Sequence, residues 1–276
     1  MRNQPIGVMD SGVGGMTVVA ELFRQLPRES VLFYGDSARC PYGNRPAGEI
    51  RTFTFEALDY LAAQGVKMLV IACNTATAIC LGEARERYAI PVIGVISPGA
   101  RAAIAATTSH RIGVIGTCAT IASDRYAQAL QKIHPNLFVA SHACPRFVDL
   151  VESGRFDDPT ILGEIEEELL PIQSRGIDTL ILGCTHYPLL TYAISSVMGE
   201  NVTLINSAEE TARDVSHWLS EENLMREDEL PPTHVFLTSG EVEPFREIAL
   251  RWLGWSPPIA QVRVWEQKSF DLSREK

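Results

Sequence analysis

The sequence predicts an α/β protein of two similar doubly wound domains with mostly parallel sheets, related by a pseudo-twofold axis, with the site in the cleft between them. Three observations carry this. Short apolar runs rich in Val, Ile and Leu alternate with longer stretches of helical period, the pattern of buried parallel strands joined by crossover helices. The order of these runs occurs twice along the chain. Equivalent runs end in chemically similar residues, including one cysteine in each half.

In the first half, strands are expected at 6–9, 31–34, 68–72 and 92–96, with helices over 16–26 and 50–64 between them. The second half repeats the scheme, with strands at 111–115, 136–140, 178–182 and 202–205. IGVMDS at 6–11 resembles IGVIGT at 112–117, MLVIACNT at 68–75 resembles TLILGCTH at 179–186, and VIGVISP at 92–98 resembles VTLINSA at 202–208. Any one match is weak, but three in the same order, at offsets of 106, 111 and 110 residues, indicate an internal duplication. After Ser207 come a helix over 209–220, an acidic Pro-containing linker over 221–232, a strand at 234–237, a helix over 244–252 and a strand at 260–265. The second half has used its strands by then. The tail is therefore expected to return to the first unit, giving an N-terminal domain of 1–97 plus 208–276 and a second domain of 98–207.

The chain has 276 residues, 46% hydrophobic and 21% charged, enough apolar material for one large core or two smaller ones. Its formal charge of −10 repels phosphate backbones and anionic membrane surfaces, so neither nucleic acid nor membrane is expected as a partner. The same field repels an acidic ligand at long range, which must then be held by local donors. No apolar run has the length of a membrane span, and MRNQPIGVMD lacks the layout of a signal peptide, so the chain is expected in the cytoplasm. The six cysteines, at 40, 73, 80, 118, 144 and 184, form no C-x-x-C pair and are expected to be free thiols.

In ACNTAT (72–77) a thiol follows a buried strand directly and precedes a helix that starts near Asn74 or Thr75. The dipole and free N–H groups of such a helix end favour a thiolate. GCTHYP (183–188) is expected to repeat the arrangement, with Thr185 and His186 after the thiol. A single cysteine of this kind is as readily a packing residue; two at matching positions of a duplicated fold are better read as functional. Ligands in open α/β sheets sit at the carboxyl ends of strands, where Cys73 and Cys184 lie, one per half. DSGVGG (10–15) is a glycine-rich strand-to-helix turn able to cradle a carboxylate or phosphate, with Asp10 leaving its strand on the side of Cys73. It is neither a dinucleotide fingerprint nor a P-loop. DSARCPYGNRP (36–46) is a polar loop placed to complete the site, while Glu152 in FVDLVESG reads as a surface glutamate on its own.

Two acid/base groups converging on one carbon from symmetric halves are what stereoinversion requires: one removes a proton from one face while the other delivers a proton to the opposite face. One thiol must be ionised while its partner stays protonated. Ser11, Asn74, Thr75, Thr117 and Thr185 are the side-chain donors for the developing charge. No lysine stands at either cysteine strand end for a pyridoxal Schiff base, and paired metal-ligand spacings are lacking, so neither cofactor nor metal is expected.

MDSGVGG, GDSARCPYGNR, ACNTATA, ACPRFVDLVESG and GCTHYPLL, in this order from residue 6 to about 207, closely resemble the glutamate racemase family. The resemblance implies cofactor-independent interconversion of L- and D-glutamate, supplying D-glutamate for peptidoglycan, in a homodimer. It makes Cys184 the base for the L-enantiomer and Cys73 the base for the D-enantiomer, with Asp10, Glu152 and His186 assisting. It also implies substrate binding by Asp10, Ser11, Tyr42, Gly43, Asn74, Thr75, Thr185 and His186. Two alternatives stand beside it: an aspartate racemase or related two-cysteine isomerase, and a non-catalytic two-domain binding protein whose cysteines only pack.

Overall fold

The computed structural model describes residues 1–266; residues 267–276, the end of the segment assigned above to the N-terminal domain, lie outside the described residues. The first half forms β1 (Ile6–Asp10), α1 (Met16–Gln25), β2 (Val31–Gly35), α2 (Ala47–Ala63), β3 (Met68–Ile71), α3 (Asn74–Arg87), β4 (Val92–Gly94) and α4 (Ile96–Ala106). The second forms β5 (Arg111–Gly116), α5 (Cys118–Ala122), α6 (Arg125–Ile133), β6 (Phe138–Ala143), α7 (Arg146–Glu152), α8 (Leu162–Gln173), β7 (Thr179–Gly183), α9 (Thr191–Met198) and β8 (Thr203–Ile205). The remainder forms α10 (Ser207–Glu221), β9 (His234–Thr238), α11 (Val242–Leu253) and β10 (Ile259–Gln261).

The strands make two sheets, β10-β9-β2-β1-β3-β4 and β6-β5-β7-β8, in which every pairing is parallel. The order β2-β1-β3-β4 is the same as β6-β5-β7-β8 under the sequence repeat. The predicted fold class is the one observed, and the duplication extends from motif to topology. Alternating strand residues feed opposite faces, as the two-residue period demands. Val8, Phe33 and Val70 pack under α1 and α10, while Met9, Tyr34 and Ile71 pack under α2 and α3. In the second sheet Leu180 and Leu182 face the core beneath α7 and α8, and Val114 and Ile181 the core beneath α4 and α6.

β9 and β10 extend the first sheet beyond β2. Polar contacts hold this returning segment. Arg226 N donates to Glu29 Oε1 at 2.7 Å and Thr233 N to Ser30 Oγ at 3.0 Å. The buried Lys67 ammonium pairs with Glu29 and donates to the carbonyls of Arg2 and Leu224, both at 2.8 Å. A buried charge is tolerated only when so completely paired.

Three strands differ from the sequence reading by two residues or more. β4 ends at Gly94, and α4 begins at Ile96, inside the expected strand, because Val95 already has helical φ and ψ. β6 lies two residues later than expected, an edge strand whose side chains are half-buried or exposed and so carry little apolar pattern. β10 spans 259–261, and a 3₁₀ turn at Val264–Glu266 replaces the rest of the expected last strand. Among the described residues no helix is long and apolar enough to cross a membrane.

Candidate active site

The register between strands determines which chain ends meet. Met9 of β1 pairs with Ile71 of β3, so Asp10 and Cys73 leave adjacent strands together. Gly116 of β5 pairs with Gly183 of β7, which does the same for Thr117 and Cys184. The two sheet ends face one another across a small cavity lined by Ser11, Tyr42, Gly43, Cys73, Asn74, Thr75, Thr117, Cys184, Thr185 and His186, together with Pro41 and Val148. Asp10 and Glu152 stand behind this lining, on Thr185 and His186 respectively.

Glycine allows the two halves to approach. A Cβ on Gly14 would lie 2.5 Å from Thr185 Oγ1 and 2.9 Å from His186 Nδ1, and one on Gly43 would lie 2.4 Å from Thr117 Cβ. The free volume between the lining side chains is about 10 Å³, room for one water and for no amino acid. A substrate therefore enters only when the halves part.

The two thiols are held differently. Cys73 caps α3: Ala76 N donates to its Sγ at 3.4 Å, and its own S–H donates to Ser11 Oγ at 3.4 Å. Burial, reinforced by the charge of Asp10, pushes the Cys73 thiol up to about 12, so Cys73 rests protonated. GCTHYP does not repeat this arrangement. Pro188 has no N–H to return to the Cys184 carbonyl, so the chain continues in a 3₁₀ turn, Tyr187–Leu190, and α9 starts only at Thr191. Cys184 instead has His186, whose Nδ1 lies 3.8 Å from its Sγ and whose Nε2 lies 2.5 Å from Glu152 Oε1. Burial opposes protonation of His186, but hydrogen bonds to Cys184, Cys40 and Glu152 and the Cys184 charge hold it well above its ordinary value. Burial alone would raise Glu152; the bond to His186 and that imidazolium's charge outweigh it and hold the carboxylate low. A cationic imidazole thus offers countercharge to a Cys184 thiolate.

Asp10 is fully buried, and this raises its carboxyl to about 6 against the opposing pull of His186, of N–H donors in its own turn and of Thr185. It accepts from Gly12 N at 3.0 Å and from Thr185 Oγ1 at 3.2 Å, the second bond crossing from one half to the other. Neutral donors fill the rest of the site. Tyr126 OH donates to Asn74 Oδ1 at 2.6 Å, which turns the Asn74 NH₂ toward other acceptors. The hydroxyls of Thr75 and Thr117 meet at 2.9 Å, and Thr75 meets Thr120 at 3.1 Å. Among the described residues no lysine or arginine lines the cavity, so a carboxylate there is held by hydroxyl, amide and backbone N–H groups.

Several contributors escaped sequence reasoning. Pro41 and Val148 lie inside motifs already singled out, but neither carries a polar group to mark it. Asp36 is buried and accepts from Ser239 Oγ at 2.7 Å, from Arg39 Nε at 2.7 Å and from Tyr42 OH. Arg39 stacks on Phe53 and Trp265, with its guanidinium carbon 4.1 Å and 4.0 Å from the ring centres. This network holds the loop that carries Tyr42 and Gly43, and only long-range contacts reveal it. Cys40, Glu152 and His186 offer ligand atoms within 4.8 Å of one another, a grouping that spacing along the chain does not disclose.

Comparison with known proteins agrees with the geometry. The model of the Asp/Glu/Hydantoin racemase family matches residues 6–215. The chain is 49% identical over 261 residues to the glutamate racemase of Bacillus cereus, covering 95% of this chain and 96% of that one. It is 53% identical over 248 residues to that of Oceanobacillus iheyensis, covering 90% of each. A glutamate racemase structure from Bacillus anthracis superposes with a TM-score of 0.92 at 48% identity, covering 95% of this chain and 98% of that one. One from Francisella tularensis in complex with D-glutamate gives 0.90 at 33% identity, covering 97% of this chain and all of that one. An aspartate racemase homologue from Pyrococcus horikoshii, at 20% identity and a TM-score of 0.53 over 79% of this chain and 99% of that one, shares the fold.

Proposed function

The chain belongs to the Asp/Glu/Hydantoin racemase family, and from this we propose that it interconverts L- and D-glutamate without a cofactor, using Cys73 and Cys184 as a two-base pair. The observation that carries the reading is the pair of buried cysteines, one at the equivalent strand end of each half, lining one cavity. About half of all positions are identical to curated glutamate racemases over nearly the whole chain, which favours glutamate over aspartate.

The protonated Cys73 and the cationic His186 support a direction. A Cys184 thiolate paired with the His186 imidazolium removes the α-proton of L-glutamate, while the Cys73 thiol delivers its proton to the opposite face. The product is D-glutamate, with Cys184 now a thiol and Cys73 a thiolate. That thiolate faces the α3 N-terminus and the Ser11 hydroxyl, and it takes the α-proton of D-glutamate in reverse. Asn74, Thr75, Thr117, Thr185, Ser11, Tyr42 and Gly43 supply donors to the substrate's carboxylates, and Asp10, through Thr185, couples the two sides.

D-glutamate made in this way serves peptidoglycan synthesis in the cytoplasm. The domain units are 1–97 with 208–276 and 98–207, and the working form is a homodimer, which sedimentation at several concentrations tests. Racemisation followed by optical rotation on glutamate and aspartate in parallel, with deuterium uptake from solvent at the α-carbon, tests the activity itself. Turnover of aspartate alone overturns the substrate. Absence of deuterium uptake leaves only a binding protein, and near-normal turnover by Cys73→Ala or Cys184→Ala removes the two-base pair.

A further inference from the structure

Cys40 takes no part in the proton transfer described above, yet it lies against two groups that do. Its Sγ is 3.6 Å from Glu152 Oε1, which is in turn 2.5 Å from His186 Nε2, and the three ligand atoms all fall within 4.8 Å of one another. We propose that Cys40, Glu152 and His186 form a binding site for Zn²⁺ or a similar thiophilic divalent ion, and that an ion bound there clamps the two halves together and shuts the active site.

The donor set is one thiolate, one imidazole and one carboxylate, the mixture preferred by zinc and its neighbours; magnesium and calcium require oxygen cages. Around a tetrahedral zinc, sulfur and oxygen ligands sit about 3.5 Å apart, close to the Cys40–Glu152 separation. The His186–Glu152 contact must widen by a little under about 1 Å to reach that geometry. Glu152 is free to yield it, since its side chain is 36% exposed. Space exists on the opposite side because residue 12 is glycine: a Cβ there would come within 3.1 Å of Cys40 Sγ and 3.4 Å of Glu152 Oε1. Glu152 also lines a neighbouring cavity of about 380 Å³ with Val13, Ser37 and Ala38, which provides access and room for a water as fourth ligand.

The position gives the ion a consequence. Cys40 follows β2 in the first half, whereas Glu152 ends α7 and His186 follows β7 in the second. A shared ion joins the two walls that must part for substrate to enter. It also takes Nε2 of His186 from Glu152 while Nδ1 still faces Cys184, so activity is lost because the cleft stays shut. Only this loss of activity rests on the racemase reading; binding of the ion does not.

The test uses the metal-free full chain titrated with Co²⁺, whose bond to a thiolate gives a charge-transfer band in the near ultraviolet, followed by displacement with Zn²⁺. One equivalent with a thiolate band is expected, kept in Cys73→Ser and in Cys184→Ser. In Cys40→Ser the band disappears and affinity falls at least about tenfold; in Glu152→Gln the band stays while affinity falls by a similar factor. Circular dichroism verifies that each variant is folded, and the two substitutions address the site independently. A band that survives Cys40→Ser, or that is lost in Cys184→Ser, puts the ion on the active-site thiols and overturns the proposal. Absence of a thiolate band in the unsubstituted chain overturns it outright. These spectra are read without substrate, so their failure is distinct from a failure of the racemase reading.

Discussion

Replacing His186 by glutamine removes the positive charge facing Cys184 while keeping a side chain of similar reach. The imidazole nitrogen lies 3.8 Å from the sulfur, so at an effective dielectric of about 20 the charge pair is worth about 4 kcal/mol before desolvation. A hydrogen bond to a charged group nets about 1.5–3 kcal/mol, so the loss of transition-state stabilisation falls at about 2–4 kcal/mol, or roughly 30-fold to 1000-fold in kcat/KM. The two enantiomers have equal free energies in water. Hence kcat/KM must fall equally in both directions, and a difference between the thiols cannot appear in that constant. It appears in isotope effects. With Cys184 weakened, proton transfer at Cys184 becomes more nearly rate-limiting. The effect on kcat/KM for α-deuterated L-glutamate then rises, while that for α-deuterated D-glutamate falls. A variant within about threefold of the parent, or one whose two isotope effects move together, refutes the pairing of His186 with Cys184.

Asp10→Asn should separate stability from activity. The native carboxyl is raised from 3.8 to about 6, so its burial as an anion costs stability that is lost as pH rises from about 4 through about 6. That cost is about 3 kcal/mol, of which the lost acceptor gives back about 1, leaving the variant more stable by about 2 kcal/mol at pH 8 and less stable by about 1 kcal/mol below pH 4. Urea unfolding at both pH values checks this, and a variant less stable at pH 8 sinks it. Gly14→Ala forces a Cβ to within 2.5 Å of Thr185 Oγ1 and should part the halves, costing about 100-fold in kcat/KM with under about 3 kcal/mol in stability. Parental activity in that variant would show that the cleft tolerates displacement. Lys67→Met strands Glu29 as an unpaired buried carboxylate and should cost about 3–5 kcal/mol, measured by denaturant unfolding at neutral pH. A cost below about 1 kcal/mol would mean that Glu29 finds another partner.

Much of the site was legible because it sits at strand ends whose apolar runs are unmistakable. Asp10 ends, and Cys73, Thr117 and Cys184 each follow, a fully or nearly fully buried strand, and the repeat indicates which of them face one another. What escaped lies where support comes from afar. Ser239, more than two hundred residues from Asp36, fixes the loop bearing Tyr42, and no local pattern announces it. Glu152 sits at the end of a seven-residue helix with an exposed side chain, so composition alone reads it as surface; only the bond to His186 gives it a purpose. β6 was misplaced for a related reason, since a half-exposed edge strand lacks the apolar signal that marks its neighbours.

The repeat also misled in one place, and that error bears on how the site works. A perfect duplication would put both thiols at helix N-termini and hold them equally, and two equal thiols would compete for the same protonation state. Pro188 breaks the symmetry: it lacks the N–H that an α-helix would return to the Cys184 carbonyl, which accepts from Tyr187 N at 3.2 Å instead, so the chain continues as a 3₁₀ segment with His186 beside the sulfur. At Cys73 burial and the nearby Asp10 carboxylate outweigh the helix end and the Ser11 hydroxyl, an environment that stores a proton. One thiol therefore rests as an acid and the other faces a cation. The difference between them comes from Pro188, which delays the helix, together with His186, which stands where the first half has Thr75.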